Sequence, residues 1–455
     1  MDYLKCIEEV YNTLCSGCIC ILGAGMRGND CYRMLRDMNV NVDCFFDNNE
    51  TKRGIVIDDV PVEKPIFKEN VIVIVTVLNH YAELEKQLLE LGYSQDMIYT
   101  YEDILATYIE KSETGVNSQD KEIREYPLTI QLPITHLCNF DCVMCGMHEM
   151  IRCKDFTVEE LNKILQDKLF SKVETIGING GEPFMRKDFV ECVDVMINNC
   201  KNLKGLYIIS NGYFTDAIIS TLERIRVRCQ KSNVSVNLSI SVDAVGELQD
   251  FHRGKKGAFE KADITCKKIL SREKELVDNL DIICTITNYN VRNLNEVVVW
   301  AEELGVEVAY NIATENERIQ NQSRVKLFSV LEDEYNKMLA REFFYNQYQK
   351  TRSEKYYALY LYLRDGKRYA ECPCMNNEWI MLTPDSQIGF CATHSRKMGS
   401  ALENSAYDLV QNNLKQLKEI KDCYCMGCSH YAYKLNSDGL RELMKEKYKN
   451  ENMEW

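Results

Sequence analysis

Between residues 128 and 312 the chain repeats one pattern six times: a short aliphatic or β-branched run, followed in most gaps by a longer stretch with helical spacing. The runs are 128–135, 173–178, 205–210, 234–242, 281–287 and 306–312. Strands alternating with helices bury their apolar faces only as a parallel sheet with right-handed crossovers. The expected fold is therefore α/β, with six βα units that stay open or curl into a partial barrel. The first helix has a capping box, Thr157 at the N-cap and Glu160 three residues on, with Leu161, Ile164 and Leu165 on one face.

Residues 18–108 read as a separate, smaller α/β unit. A strand over 18–22 runs into Gly23-Ala24-Gly25-Met26-Arg27-Gly28 and a helix through Asp37. A second strand over 42–46 ends in Asp47, and 71–77 is a β-branched run suited to a strand buried on both faces. The polar segment 111–125, with Ser, Thr, Gly, Asn and seven charged residues, reads as a linker. The expected division is 1–110, linker 111–126, βα repeats 127–320, a helical connection 321–370 and a loop-rich cysteine segment 371–455. The net charge of −14 argues against generic binding to nucleic acid or anionic membrane. The start lacks the charged-then-apolar pattern of a signal peptide, and the longest apolar stretch, 71–78, is too short to cross a bilayer. A cytoplasmic chain is expected.

There are 21 cysteines. Without an export signal they point to metal or cluster ligation rather than a disulfide framework. Cys31, Cys192, Cys200, Cys229 and Cys266 fall in expected helices and read as small core hydrophobes. Two groups stand out: Cys138, Cys142 and Cys145 in the loop after the first repeat strand, and Cys372, Cys374, Cys391, Cys423, Cys425 and Cys428 near the end. The first supplies three thiolates and no fourth ligand, which is deficient for structural zinc but leaves one iron of a cubane iron–sulfur cluster open to an exogenous ligand.

The Cys-x3-Cys-x2-Cys spacing after strand 1 of a βα series resembles the radical S-adenosylmethionine (radical SAM) superfamily, whose core is a partial (β/α)6 TIM-type barrel. The resemblance implies a 4Fe-4S cluster whose open iron is chelated by the methionine moiety of S-adenosyl-L-methionine, followed by reductive cleavage to a 5′-deoxyadenosyl radical. Gly180-Gly181-Glu182-Pro183 after strand 2 matches the family's Gly-Gly-Glu-Pro element. Ser210 and Asn211 end strand 3, and Ser241 and Asp243 end strand 4, followed by His252-Arg253-Gly254, similar to a segment common in the family. These motifs sit at strand carboxyl ends, where parallel barrels build active sites. Met144 stands where the family often has an aromatic residue.

Cys374, the run Trp379 to Cys391, and Cys425-Met426-Gly427-Cys428 are similar to the family's twitch extension, a shortened SPASM domain. This implies a second 4Fe-4S cluster on Cys374, Cys391, Cys425 and Cys428, with Cys372 and Cys423 as competing ligands. Ser386 stands where the family usually has Gly. A zinc ribbon uses the same four thiolates, so a zinc-binding scaffold is the non-enzymatic reading. Gly23, Gly25 and Gly28, with Asp47, satisfy a dinucleotide fingerprint in strand–helix context and resemble half of a Rossmann fold. That unit serves either a nucleotide or nucleotide-sugar site or assembly alone.

Such enzymes oxidise, epimerise or modify peptides. The half-Rossmann unit favours oxidation or epimerisation of a sugar-like or nucleotide-linked small molecule, with a peptide-modifying maturase as the alternative. Glu315 and Arg318 after strand 6 are candidate proton-transfer groups, and Cys284 and Cys153 candidate hydrogen donors. The resemblance also implies a reducing partner such as flavodoxin or ferredoxin.

Overall fold

The computed structural model describes residues 3–77, 80–111, 123–148, 154–394, 396–430 and 434–450. They form two compact units, one of residues 1–121, 341–371 and 432–455, the other of 122–340 and 372–431. This differs from the division expected along the chain. The helix Glu354–Asp365, expected as a mere connection, and the helix Ser437–Asn450, expected beside the late cysteines, both belong to the first unit.

In the first unit the strands are β1 (Cys18–Leu22), β2 (Cys44–Phe46), β3 (Val56–Ile57), β4 (Val60–Glu63), β5 (Val71–Val75) and β6 (Ile98–Thr100). They lie in the order β3-β4-β2-β1-β5-β6, parallel throughout except for the β3–β4 hairpin. Strand order departs in both directions from β1, so the glycine loop after β1 sits at the switch point of a doubly wound sheet. All five residues of β5 are buried, as its unbroken β-branched run requires. The strand stops at Val75 because Thr76 turns its hydroxyl onto the carbonyls of Leu22 and Gly23.

In the second unit β7 (Thr129–Thr135), β8 (Thr175–Gly180), β9 (Gly205–Ser210), β10 (Ser235–Ser241), β11 (Asn279–Ile286) and β12 (Val308–Ile312) pair in parallel, each with the next. This is the expected six-unit partial barrel. Its core is continuous from Ile130 and Leu132 through Ile176, Leu206, Val236 and Ile282. The late cysteine segment does more than loop: β13 (Trp379–Leu382) pairs in parallel with β7, and β14 (Gln387–Gly389) and β15 (Gly399–Ser400) extend the sheet antiparallel. At the β13–β14 turn Ser386 has φ +62°, which explains why a glycine suits that position.

The helical stretch expected over 325–362 is interrupted twice. Ser329 caps a short turn after Val325–Phe328, and Arg352 at φ +54° separates Glu334–Thr351 from Glu354–Asp365. No helix among the described residues is long and apolar enough to cross a membrane.

The helix Val158–Leu165 begins with the complete capping box: Thr157 accepts from the Glu160 amide at 3.1 Å, and Glu160 accepts from the Thr157 amide at 2.7 Å. Thr157→Ala should lower stability by about 1 kcal/mol in denaturant titration with an unchanged slope.

Candidate functional site

The loop after β7 carries Cys138, Cys142 and Cys145, and three neighbouring segments pin it through glycines. A Cβ on Gly180, which has φ +128°, would lie 2.5 Å from the Thr135 carbonyl oxygen, and one on Gly181 only 2.0 Å from that of Leu137. On the opposite flank a Cβ on Gly254 would meet the Asp141 oxygen at 2.1 Å, while Gly146 packs its own Cα against the carbonyls of Ile319 and Gln320. The Gly180-Gly181 pair therefore lets the end of β8 lie against the cysteine loop itself. Backbone bonds complete the clamp, from the Glu182 amide to Leu137 and from the Val143 amide to His252.

A buried ion cluster underlies this loop. The Asp243 carboxylate, with no solvent exposure, meets Arg253 at 2.7 and 2.8 Å and His252 at 2.7 Å, and accepts the Thr285 amide at 2.7 Å. Burial alone would raise its pKa, but the Arg253 and His252 charges outweigh that and hold it below the usual range. His252 reaches on to Thr287 at 2.8 Å, and Asn290 ties the carbonyls of Asp243 and Thr285. Arg253 also bonds the Cys142 sulfur, so the ion cluster touches the thiol group directly.

Burial pushes the thiols up, Cys138 to about 11 and Cys142 to about 12, and Cys142 is raised further by both other thiols. Against this, the guanidinium charges of Arg318, Arg253 and Arg324 all favour a Cys145 thiolate. Arg324 also donates to the Cys145 carbonyl at 3.0 Å, and Asn321 bonds the Met144 carbonyl at 2.9 Å. Sequence reasoning missed Asn321 and Arg324, since nothing local marks residues almost 180 positions away as neighbours of the loop. Arg253 was within reach, because it lies one helix after the acid it pairs with.

Glu182 is buried and accepts from the Asn211 amide at 2.7 Å, the Ser210 hydroxyl at 2.9 Å and the Phe184 amide at 3.2 Å. Its carboxylate thus joins the ends of β8 and β9. Burial lifts its pKa to about 7 despite those three donors. Asn211 bonds Asn139 at 2.8 Å, linking the same strand end to the cysteine loop. Pro183 is buried in the turn that follows Glu182, and the Ser241 carbonyl accepts from Gln249 at 3.0 Å.

In the late group, the Cys374 thiol is pushed well above the usual range, first by its hydrogen bond with Cys372, then by burial and by the thiols of Cys391 and Cys425. The thiols of Cys372, Cys391 and Cys425 thus lie near enough to Cys374 to act on it. Cys428 is half-buried and its sulfur accepts the His430 amide at 3.4 Å, while Cys423 is exposed at a helix end. Among the described residues, no three His, Cys, Asp or Glu side chains converge tightly enough to close on a single metal ion.

In the first unit, a Cβ on Gly28 would fall 1.9 Å from the Gly23 oxygen, so this glycine sets helix-to-strand packing; Gly25 has open space around it. Asp47 accepts from the Ala24 amide at 2.9 Å and the Asn49 amide at 2.8 Å, with Lys52 at 3.2 Å. Its carboxylate is folded back onto the glycine loop.

Residues 132–301 match the Radical SAM superfamily. These residues, the βα repeat series, belong to that superfamily. Among curated relatives, the GTP 3′,8-cyclase of Mannheimia succiniciproducens is 28% identical over 158 residues, 32% of this chain and 44% of that protein. The PqqA peptide cyclase of Bradyrhizobium diazoefficiens is 30% identical over 137 residues, 28% of this chain and 34% of that protein. The chain thus spans less than half the length of either. The structure of Streptococcus suis SuiB bound to S-adenosylmethionine aligns with a TM-score of 0.50 at 16% identity, over 75% of this chain and 78% of that one, and shares its fold.

A 4Fe-4S cluster and S-adenosylmethionine are typical cofactors of radical SAM enzymes, and the loop is chemically suited to them. It offers three thiols and one buried amide donor without a hydrogen-bond partner, Asn139 Nδ2, and the end of β8 adds an unpartnered buried acceptor, Asn179 Oδ1. One donor and one acceptor match a ligand that carries both a carboxylate and an amino group. Of the reaction candidates, Glu315 is exposed after β12, whereas Arg318 is half-buried and close enough to act on Cys145. Cys284 is fully buried and points its thiol at the Asp243 carbonyl, 3.7 Å away, so it packs under the ion cluster. Cys153 lies outside the described residues.

Two outcomes follow from the site. Arg253→Gln leaves the Asp243 charge buried beside an uncharged amide and should cost about 3–5 kcal/mol in chemical denaturation, partly recovered by Asp243→Asn in the same chain. The Glu182 carboxyl, near 7 in the fold against an ordinary 4.5, retains its proton on folding between those values. The stability this gives is complete below pH 4.5 and lost as the pH rises through 7. Relative to Glu182→Gln, the unaltered protein should lose about 3 kcal/mol across that window in parallel denaturant titrations.

Proposed function

We propose that this radical SAM enzyme removes a hydrogen atom from a peptide and so modifies it. The observation that carries the reading is the 30% identity to PqqA peptide cyclase over 137 residues. A sugar-like or nucleotide-linked substrate has the support of the GTP 3′,8-cyclase relatives. It loses the support once drawn from the glycine motif, because Asp47 and the Ala24 amide satisfy each other at 2.9 Å.

In this reading Cys138, Cys142 and Cys145 hold the 4Fe-4S cluster, and Gly180, Gly181, Asn139 and Asn179 line the place of the methionine moiety. When bound, the cluster supplies one electron that cleaves S-adenosylmethionine to a hydrogen-abstracting 5′-deoxyadenosyl radical. Glu182, Pro183, Ser210, Asn211, Ser241 and Asp243 fix the strand ends that surround it, acting through position. Arg253, Arg318 and Arg324 offset the negative charge of the thiolates. Cys374, Cys391, Cys425 and Cys428 would hold a second 4Fe-4S cluster, with Cys372 as a competing ligand, and such a group would supply an acceptor for the electron that a substrate radical gives up on oxidation. The reductant is a flavodoxin- or ferredoxin-type protein.

The test uses reconstituted enzyme with dithionite, S-adenosylmethionine, and either Cα-deuterated peptides or ring-deuterated nucleotide sugars. Deuterium should enter 5′-deoxyadenosine from the peptide, and replacing Cys138, Cys142 and Cys145 together by Ala should abolish 5′-deoxyadenosine formation. Transfer from a sugar carbon alone returns the function to the carbohydrate reading.

A further inference from the structure

Away from the barrel, the first unit places two cysteines side by side. Cys20 on β1 and Cys44 on β2 are register partners in adjacent parallel strands, and their sulfurs are 2.7 Å apart. Parallel neighbours lie about 4.8 Å apart, inside the Cα separation of about 4.4–6.8 Å that a disulfide spans without backbone movement. In-register residues also project to the same face of a sheet, so the two Cβ atoms are already aimed alike. Both residues are fully buried, within an apolar cluster that includes Leu22, Phe46, Val73 and Leu88.

A charged group reaches this pocket. The Lys68 ammonium bonds the Cys44 sulfur at 3.3 Å and Glu63 at 2.8 Å, with its side chain about a third exposed. The hydrogen bond with Cys20, followed by the Lys68 charge, holds the Cys44 thiol below its ordinary value despite burial, whereas Cys20 is raised. One sulfur is thus the better nucleophile and the other retains its proton, the asymmetry that a two-step thiol oxidation needs.

We infer that Cys20 and Cys44 are a modification site, a peroxide-reactive dithiol that closes to a disulfide between β1 and β2. The Cys44 thiolate attacks one oxygen of hydrogen peroxide, forming an S–O bond as the O–O bond breaks and releasing hydroxide. Cys20 then attacks the sulfenic sulfur, the S–S bond forms, and the sulfenic hydroxyl leaves, with the Cys20 proton, as water. The two thiols lose two electrons, and the peroxide is reduced to two waters. Burial selects an oxidant of this size, since a bulky disulfide would need room that the apolar packing does not leave.

The full chain, purified without oxygen, is exposed to stoichiometric hydrogen peroxide, alkylated, digested and mapped by mass spectrometry. The Cys20 and Cys44 peptides should appear joined and two hydrogens lighter, and dithiothreitol should separate them. In urea the same treatment should scatter linkages over many cysteines. Lys68→Met should slow formation of the link about tenfold, as expected when a thiolate loses its neighbouring cation. Recovery of Cys20 and Cys44 as alkylated thiols from peroxide-treated native protein overturns the proposal, and an unchanged rate in Lys68→Met overturns the role given to the lysine.

Discussion

The Asp243–Arg253 contact joins four parts of the second unit at one point. Asp243 follows β10, Arg253 ends the helix Glu247–Arg253, Thr285 lies on β11, and Cys142 belongs to the loop after β7. Each partner removes a cost from another. The burial cost of the carboxylate is offset by the guanidinium and imidazole that face it, and the guanidinium is shared between carboxylate and sulfur. A thiol in such surroundings is pushed up by desolvation and needs a nearby positive charge to become a ligand, since coordination requires it deprotonated. Arg253 does both jobs from one position, so the barrel's polar interior and its cysteine loop are stabilised together.

That coupling also explains which parts could be read along the chain. The strands Cys18–Leu22 and Gly205–Ser210 have the expected bounds, because continuous apolar runs closed by glycine or polar residues leave little choice of ends. The capping box at Thr157 was legible for the same reason, as it depends on residues three apart. Arg324, Asn321 and the Cys374–Cys391–Cys425 gathering depend on chain reversal over tens to hundreds of residues. Periodicity carries no information on such contacts. The same holds for the strand Trp379–Leu382, whose partner β7 lies some 250 residues earlier.

The glycines show a further limit of motif reading. Gly180 and Gly181 match a family element in the sequence, and in the structure their missing Cβ atoms are required by the carbonyls of Thr135 and Leu137. Asp47 likewise completes a dinucleotide fingerprint in the sequence, and in the structure two backbone amides and Lys52 meet its carboxylate. In both places the residue type was right for a functional motif, and the motif's nearest beneficiary is the protein's own backbone.

This bears on how a cluster loop can be held stiff. A loop bounded by side chains could shift as they change rotamer, whereas one wedged between carbonyl oxygens and glycine Cα atoms has no rotamers to exchange. The loop from Thr135 to Gly146 is wedged in this way from β8, from the turn at Gly254 and from Ile319–Gln320. Restricting the motion of the three cysteines matters most under the proposed reading, in which a fourth position is left to an exogenous ligand. The glycines and the buried Arg253 thus serve one physical end: a cysteine loop whose position is determined before anything binds to it.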